Sequence, residues 1–115
     1  LIVDYDTIAQ ALGSPTTHDH DMRLHALVCT ARDAVLDHVI ESGKGITAVW
    51  FVATAPDLAT RRRYVERWGA RLELVDPGRD ECRRRALDAG RPARWLTMID
   101  DWYAAQEPAR HSREW

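Results

Sequence analysis

Leu1-Ile-Val-Asp4-Tyr-Asp6-Thr-Ile8 opens the chain, three apolar residues running into an acid. This is the pattern of a buried strand whose carboxyl end delivers Asp4 and Asp6. A second apolar run, Ile46-Thr-Ala-Val-Trp-Phe-Val-Ala53, does not alternate and reads as a strand covered on both faces. Arg71-Leu-Glu-Leu-Val75 alternates and reads as a third strand nearer an edge.

Helical segments separate these runs. Thr7 to Leu12 is short, stopped by Gly13 and the breaker Ser14-Pro15. A long helix is expected over 22–42, capped by Asp21, with Leu24, Leu27, Val28, Ala31, Val35 and Val39 at steps of three and four. Thr54 reads as the cap of the next helix, with Pro56 in its first turn and Gly69 after its end. Asp76-Pro77 marks another start, giving a helix over 81–89, and Trp95, Met98, Ile99 and Trp102 give a last one over 93–106 an apolar stripe. Pro108 is expected to end it, leaving 108–115 as a tail.

The order β-α-α-β-α-β-α-α, without hairpin turns or repeats, predicts an α/β protein. The expected architecture is three-layer α/β/α around a mostly parallel sheet, in one domain over 1–107. Ligands of such sheets sit at the carboxyl ends of the strands. Asp4, Asp6, Thr54 and Asp76 are therefore expected along one edge. A strand at the first residue and so few strands overall predict a further strand upstream of Leu1.

The chain of 115 residues is 45% hydrophobic and 30% charged, a composition that excludes a disordered chain. No apolar run reaches the roughly 18 residues that a membrane helix needs, so no membrane partner is expected. Two cysteines, Cys29 and Cys82, are too few for a disulfide framework or a four-thiolate zinc site and fit a reducing, cytoplasmic setting. Both read as core residues, as do Trp50, Trp68 and Trp95.

The formal net charge of −2 excludes a general nucleic-acid coat, but charge is unevenly spread. Residues 1–56 carry 3 basic and 7 acidic side chains, whereas 57–94 carry 11 Arg and 7 acids. Arg61-Arg62-Arg63 reads as a solvated helix face. Arg85 and Arg91 are better placed for phosphate, near the carboxyl end of the third strand, where a planar guanidinium fork suits an anion. Acids beside a substrate hydroxyl, opposed by arginines, form the layout of phosphoryl transfer. In that layout Asp6 is the base, with Asp4 in support.

His18-Asp19-His20-Asp21 with His25 supplies a second candidate centre. His18 and His20 read as a loop over the substrate. Alternatively, His18, His20 and His25 hold the metal of a metal-dependent hydrolase or nuclease. The run misses the His-x-His-x-Asp-His spacing, since Met22 and Arg23 stand at its last two places. Trp102-Tyr103 could stack a base, but a packed helix is the better explanation of the pair.

The opening block resembles the second strand of small P-loop kinases of the polynucleotide-kinase, zeta-toxin and adenylate-kinase-like group, where an acid ends the strand and opens the substrate helix. Asp6 matches that acid; position 9, where the group carries arginine, is Ala. Cys82-x-x-Arg85-Ala86 followed by Gly90-Arg91-Pro92 resembles the group's lid segment. The blocks Asp4-Tyr-Asp6, Ala11-Leu-Gly-Ser-Pro15 and His18-Asp-His20, with Asp76-Pro77 and Trp102-Tyr103, are similar to those of actinobacterial and phage AAA-type ATPase or kinase proteins. The resemblance covers about residues 1–105. It implies ATP and Mg²⁺, held in part by Arg85, Arg91 and Thr54, and a nucleotide, nucleic-acid end or small metabolite as acceptor. The group's Gly-rich loop ending Gly-Lys-Ser/Thr is not met by Gly43-Lys44-Gly45 and is expected upstream of Leu1. A third expectation is a non-catalytic binding module on a degenerate kinase fold.

Overall fold

A computed structural model describes residues 1–46 and 48–112, with side chains as far as Gln106. The protein is of mixed helix and strand, and it forms two compact units, Leu1–Thr54 and Ala55–Trp115.

In the first unit β1 (Ile2–Asp4) pairs parallel with β2 (Trp50–Val52), Ile2 opposite Trp50, Val3 opposite Phe51 and Asp4 opposite Val52. The apolar run expected as a strand over 46–53 is a strand only over Trp50–Val52, opposite the three residues of β1. Val3 is buried and Phe51 half-buried, while Ile2, Trp50 and Val52 on the other side are exposed. The pair is thus covered on one face, not both, and Trp50 is not a core residue. Parallel pairing needs a long crossover, which α1 (Tyr5–Ala11), a turn of 3₁₀-helix (Met22–Leu24) and α2 (His25–Ser42) supply.

Asp4, the last residue of β1, is the N-cap of α1. Its Oδ2 accepts from the Thr7 amide at 3.1 Å and the Thr7 hydroxyl at 3.0 Å. The helix therefore begins two residues earlier than expected, and Asp6 lies in its first turn rather than at the carboxyl end of the strand. Helix α1 packs on α2, and Ala9 at the middle of α1 is completely buried. An arginine at position 9 would have no path to water.

Val28 and Leu36 are the buried residues of α2, whereas Leu27 and Val35 of the expected stripe are 60% and 43% exposed. The true inward line steps by four, through Val28, Arg32 and Leu36, and Arg32 lies with its guanidinium 5.1 Å from the centre of the Phe51 ring.

The second unit is helical: α3 (Leu58–Trp68), α4 (Arg79–Asp88) and α5 (Ala93–Ser112). The cap of α3 is Asp57, not Thr54. Its carboxylate accepts from the Thr60 amide at 2.7 Å and the Thr60 hydroxyl at 2.9 Å, and these bonds hold its pKa below the ordinary value. Gly69 closes the helix at φ 63°, a left-handed conformation that costs glycine little.

Arg61 is buried, contrary to a solvated triplet. Its Nε donates to the Ala55 carbonyl at 2.8 Å, and its guanidinium lies 5.5 Å from the Trp102 ring centre. Trp68, seven residues on and so on the same face, is buried with it. Arg71 to Val75 forms no strand: the segment is exposed, and the sheet among the described residues has two strands. Helix α5 continues past Pro108 to Ser112, since one missing N–H interrupts a helical ladder without ending it. Of the expected tail, 113–115 lie outside the described residues.

Candidate active site

Asp6, two residues beyond the end of β1, accepts two imidazoles. His18 Nδ1 lies 2.8 Å from Asp6 Oδ2, and His20 Nε2 lies 2.9 Å from Oδ1. An ionised carboxylate only accepts, so both ring nitrogens donate. Asp19 between the two histidines stands at φ 60°, a left-handed conformation that Asp tolerates better than most residues, and the loop bends there.

His20 continues the chain of bonds. Its side chain is 2% exposed, and its Nδ1 lies 2.6 Å from the Ser14 hydroxyl. With Nε2–H committed to Asp6, a neutral His20 ring presents Nδ1 as an acceptor to that hydroxyl. Thr16 Oγ1 stands nearby, 3.4 Å from Ser14 Oγ. Ser14 reads in the sequence only as a turn residue. No periodicity links it to His20, six residues on, and the loop alone brings them together.

Tyr5 begins α1 beneath the cluster, its ring centre 6.1 Å from that of His20. Its hydroxyl is 3.1 Å from His25 Nδ1, and His25 Nε2 is 3.7 Å from Cys29 Sγ. Burial, then the neighbouring Cys29 and Asp6, raise the Tyr5 pKa above its ordinary value. His25 is thus in a separate arm from His18 and His20, which meet different oxygens of Asp6. The three histidines do not converge on one point. Among the described residues no group of three or more His, Cys, Asp or Glu is arranged to hold a metal. Cys29 is half-buried beside polar groups rather than in the core.

Thr54 lies two residues past β2 and is exposed. Asp76 belongs to the second unit. Its Oδ1 accepts from the Gly78 amide and from the Tyr103 hydroxyl, which also lies 3.5 Å from Cys82 Sγ. Burial, then Asp76 and Cys82, raise the Tyr103 pKa.

The arginines of α4 are largely occupied. Arg79 and Arg83 both reach Asp100, whose carboxyl burial would push up but whose bonds to the two guanidinium groups bring down. Arg84 and Arg85 share Glu81. Arg91 differs: among the described residues it forms no ion pair, and its guanidinium lies 4.9 Å from the centre of the Trp95 ring. The phosphate role expected of Arg85 would compete with Glu81; that of Arg91 would not.

The bonds to Arg84 and Arg85 pull the Glu81 pKa from 4.5 to about 2. A depressed carboxyl contributes stability above its unfolded pKa and loses it as pH falls through its folded one. The contribution of Glu81 is therefore expected to fade between pH 4.5 and about 2. NMR titration of the Glu81 carboxyl carbon checks this: a midpoint that returns toward 4.5 in Arg84→Ala/Arg85→Ala agrees, and a wild-type midpoint near 4.5 contradicts it.

No protein-family model, curated protein or solved structure matches the chain. No helix among the described residues is long and apolar enough to cross a membrane.

Proposed function

We propose that the chain carries the acceptor site of an ATP-dependent phosphotransferase of P-loop kinase type, with Asp6 as its base. The observation that carries this reading is the placement of one carboxylate just beyond a parallel strand, both oxygens fixed by His18 and His20. The two imidazoles hold the carboxylate in one orientation, and each oxygen keeps a second lone pair for a substrate hydroxyl. That hydroxyl passes its proton to Asp6 as its oxygen bonds to the γ-phosphorus of ATP, the bond from that phosphorus to the bridging oxygen breaks, and ADP leaves. The acceptor is a nucleic-acid end, a nucleotide or a small hydroxylated metabolite.

Asp4 acts through its cap on α1, which sets where Asp6 stands. In the second unit Arg91 suits phosphate charge, because among the described residues no carboxylate pairs with it. Mg²⁺ on the nucleotide phosphates would supply charge neutralisation. The reading takes β1 and β2 as part of a three-layer α/β/α sheet and fits a reducing cytoplasm, with Cys29 and Cys82 as free thiols.

The test is transfer of labelled γ-phosphate from ATP, by the natural full-length protein, to a panel of oligonucleotide ends, nucleosides and sugars. Transfer that depends on Asp6 supports the reading. ATP binding without transfer to any acceptor points instead to a non-catalytic module.

A further inference from the structure

Ser14, His20 and Asp6 form a continuous relay: hydroxyl to Nδ1 at 2.6 Å, Nε2 to carboxylate at 2.9 Å. We propose that Ser14 is a nucleophile, activated by His20 and Asp6, that takes an acyl group from a carboxylic ester. The roles follow from the bonds. Asp6 fixes the His20 tautomer and stabilises the ring once it is protonated. His20 draws the Ser14 proton. The ring is used with Nε2 toward the acid and Nδ1 toward the hydroxyl, and either nitrogen serves as base when the other carries the proton.

Exposure matches the roles. The His20 side chain is 2% exposed, so the ring that draws the proton is shielded from bulk water. Ser14 is half-exposed, at the turn that follows α1, and can be reached from outside. Tyr5 flanks the His20 ring.

The surroundings select the electrophile. The partners of Ser14, His20 and Asp6 are hydroxyls and imidazoles. The two arginines of this unit pair elsewhere, Arg23 with Asp21 and Arg32 with Asp33. With a carboxylate behind the ring, the Ser14 hydroxyl suits a neutral carbonyl as its electrophile. The Ser14 oxygen bonds to the carbonyl carbon, the ester C–O bond breaks, and the proton held on His20 goes to the departing alkoxide. Water, deprotonated by the same ring, then releases the acid from Ser14. No nucleotide is consumed, so the proposal stands independently of the phosphotransferase reading.

A fluorophosphonate probe tests the nucleophile directly, in the absence of ATP and Mg²⁺. The Ser14 oxygen bonds to phosphorus, the P–F bond breaks, and fluoride leaves as the proton passes to His20. The expected result is a single adduct mapped to Ser14 by mass spectrometry, absent from Ser14→Ala. His20→Gln is expected to slow the labelling about 10²-fold, the low end of the general-base range. The native protein is expected to label faster than the same chain unfolded in urea, a comparison that needs no variant and holds even if His20→Gln does not fold. An adduct elsewhere, or equal rates in the native and unfolded chains, overturns the proposal. So does a folded His20→Gln protein that labels at the wild-type rate.

Discussion

Asp6→Asn is expected to lower phosphoryl transfer by about 10²–10⁴-fold, the usual cost of losing a general base. The substitution keeps size and shape and removes the negative charge. It also leaves the neighbourhood foldable. The amide oxygen can still accept from one histidine, and its NH₂ group can donate to the other once that ring changes tautomer. Ser14 can follow such a change, because a hydroxyl both donates and accepts. ATP affinity is expected to stay near the wild-type value, since the acid acts on the acceptor and not the nucleotide. Turnover and ATP binding measured side by side, with circular dichroism to confirm the fold, decide the matter. A variant with near wild-type turnover would remove Asp6 from the reaction. Ser14→Ala separates the two chemistries of the cluster, because it deletes the ester nucleophile and retains the Asp6 carboxylate.

Leu36→Ala should destabilise the first unit by about 2–5 kcal/mol, the range for emptying a buried leucine site. Leu36 is the largest of the buried apolar side chains of that unit; Val3, Ala9 and Val28 are the others. Whole domains are stable by only about 5–15 kcal/mol, so this loss is a large fraction of what holds the unit folded. Urea denaturation should show a lower midpoint with little change in slope. Leu27→Ala on the same helix serves as the comparison, because Leu27 is 60% exposed and its truncation should cost far less. Equal effects at the two positions would mean that the inward line of α2 is wrongly placed.

The contrast between those two leucines shows why the inward face of α2 was not legible in the sequence. Leu27-Val28, Val35-Leu36 and Val39-Ile40 are adjacent apolar pairs, so two stripes about 100° apart are equally plausible. Only packing against α1 chooses between them. The parallel β1–β2 pair and most helix spans could be read directly, because apolar runs and breakers are local signals. The strand expected over 71–75 could not be checked that way. Alternation shows that a segment can pair, not that an edge is there to receive it. The burial of Arg61 has a local signal, its seven-residue spacing from Trp68, which puts both on one helix face. The relay to Ser14 had none, because it depends on the path of a loop.

Ala9 ties two properties of the first unit that are usually free to drift apart. It lies three residues after Asp6 on the same short helix and is completely enclosed. A larger side chain there would lift α1 and carry the carboxylate with it, out of reach of His18 and His20. Substitutions tolerated at position 9 are therefore limited by angstroms at the cluster as well as by the volume available under the helix. A lineage that enlarged this residue would have to rebuild the 14–20 loop in the same evolutionary step, so small size at position 9 and the His18–His20 spacing should be inherited together.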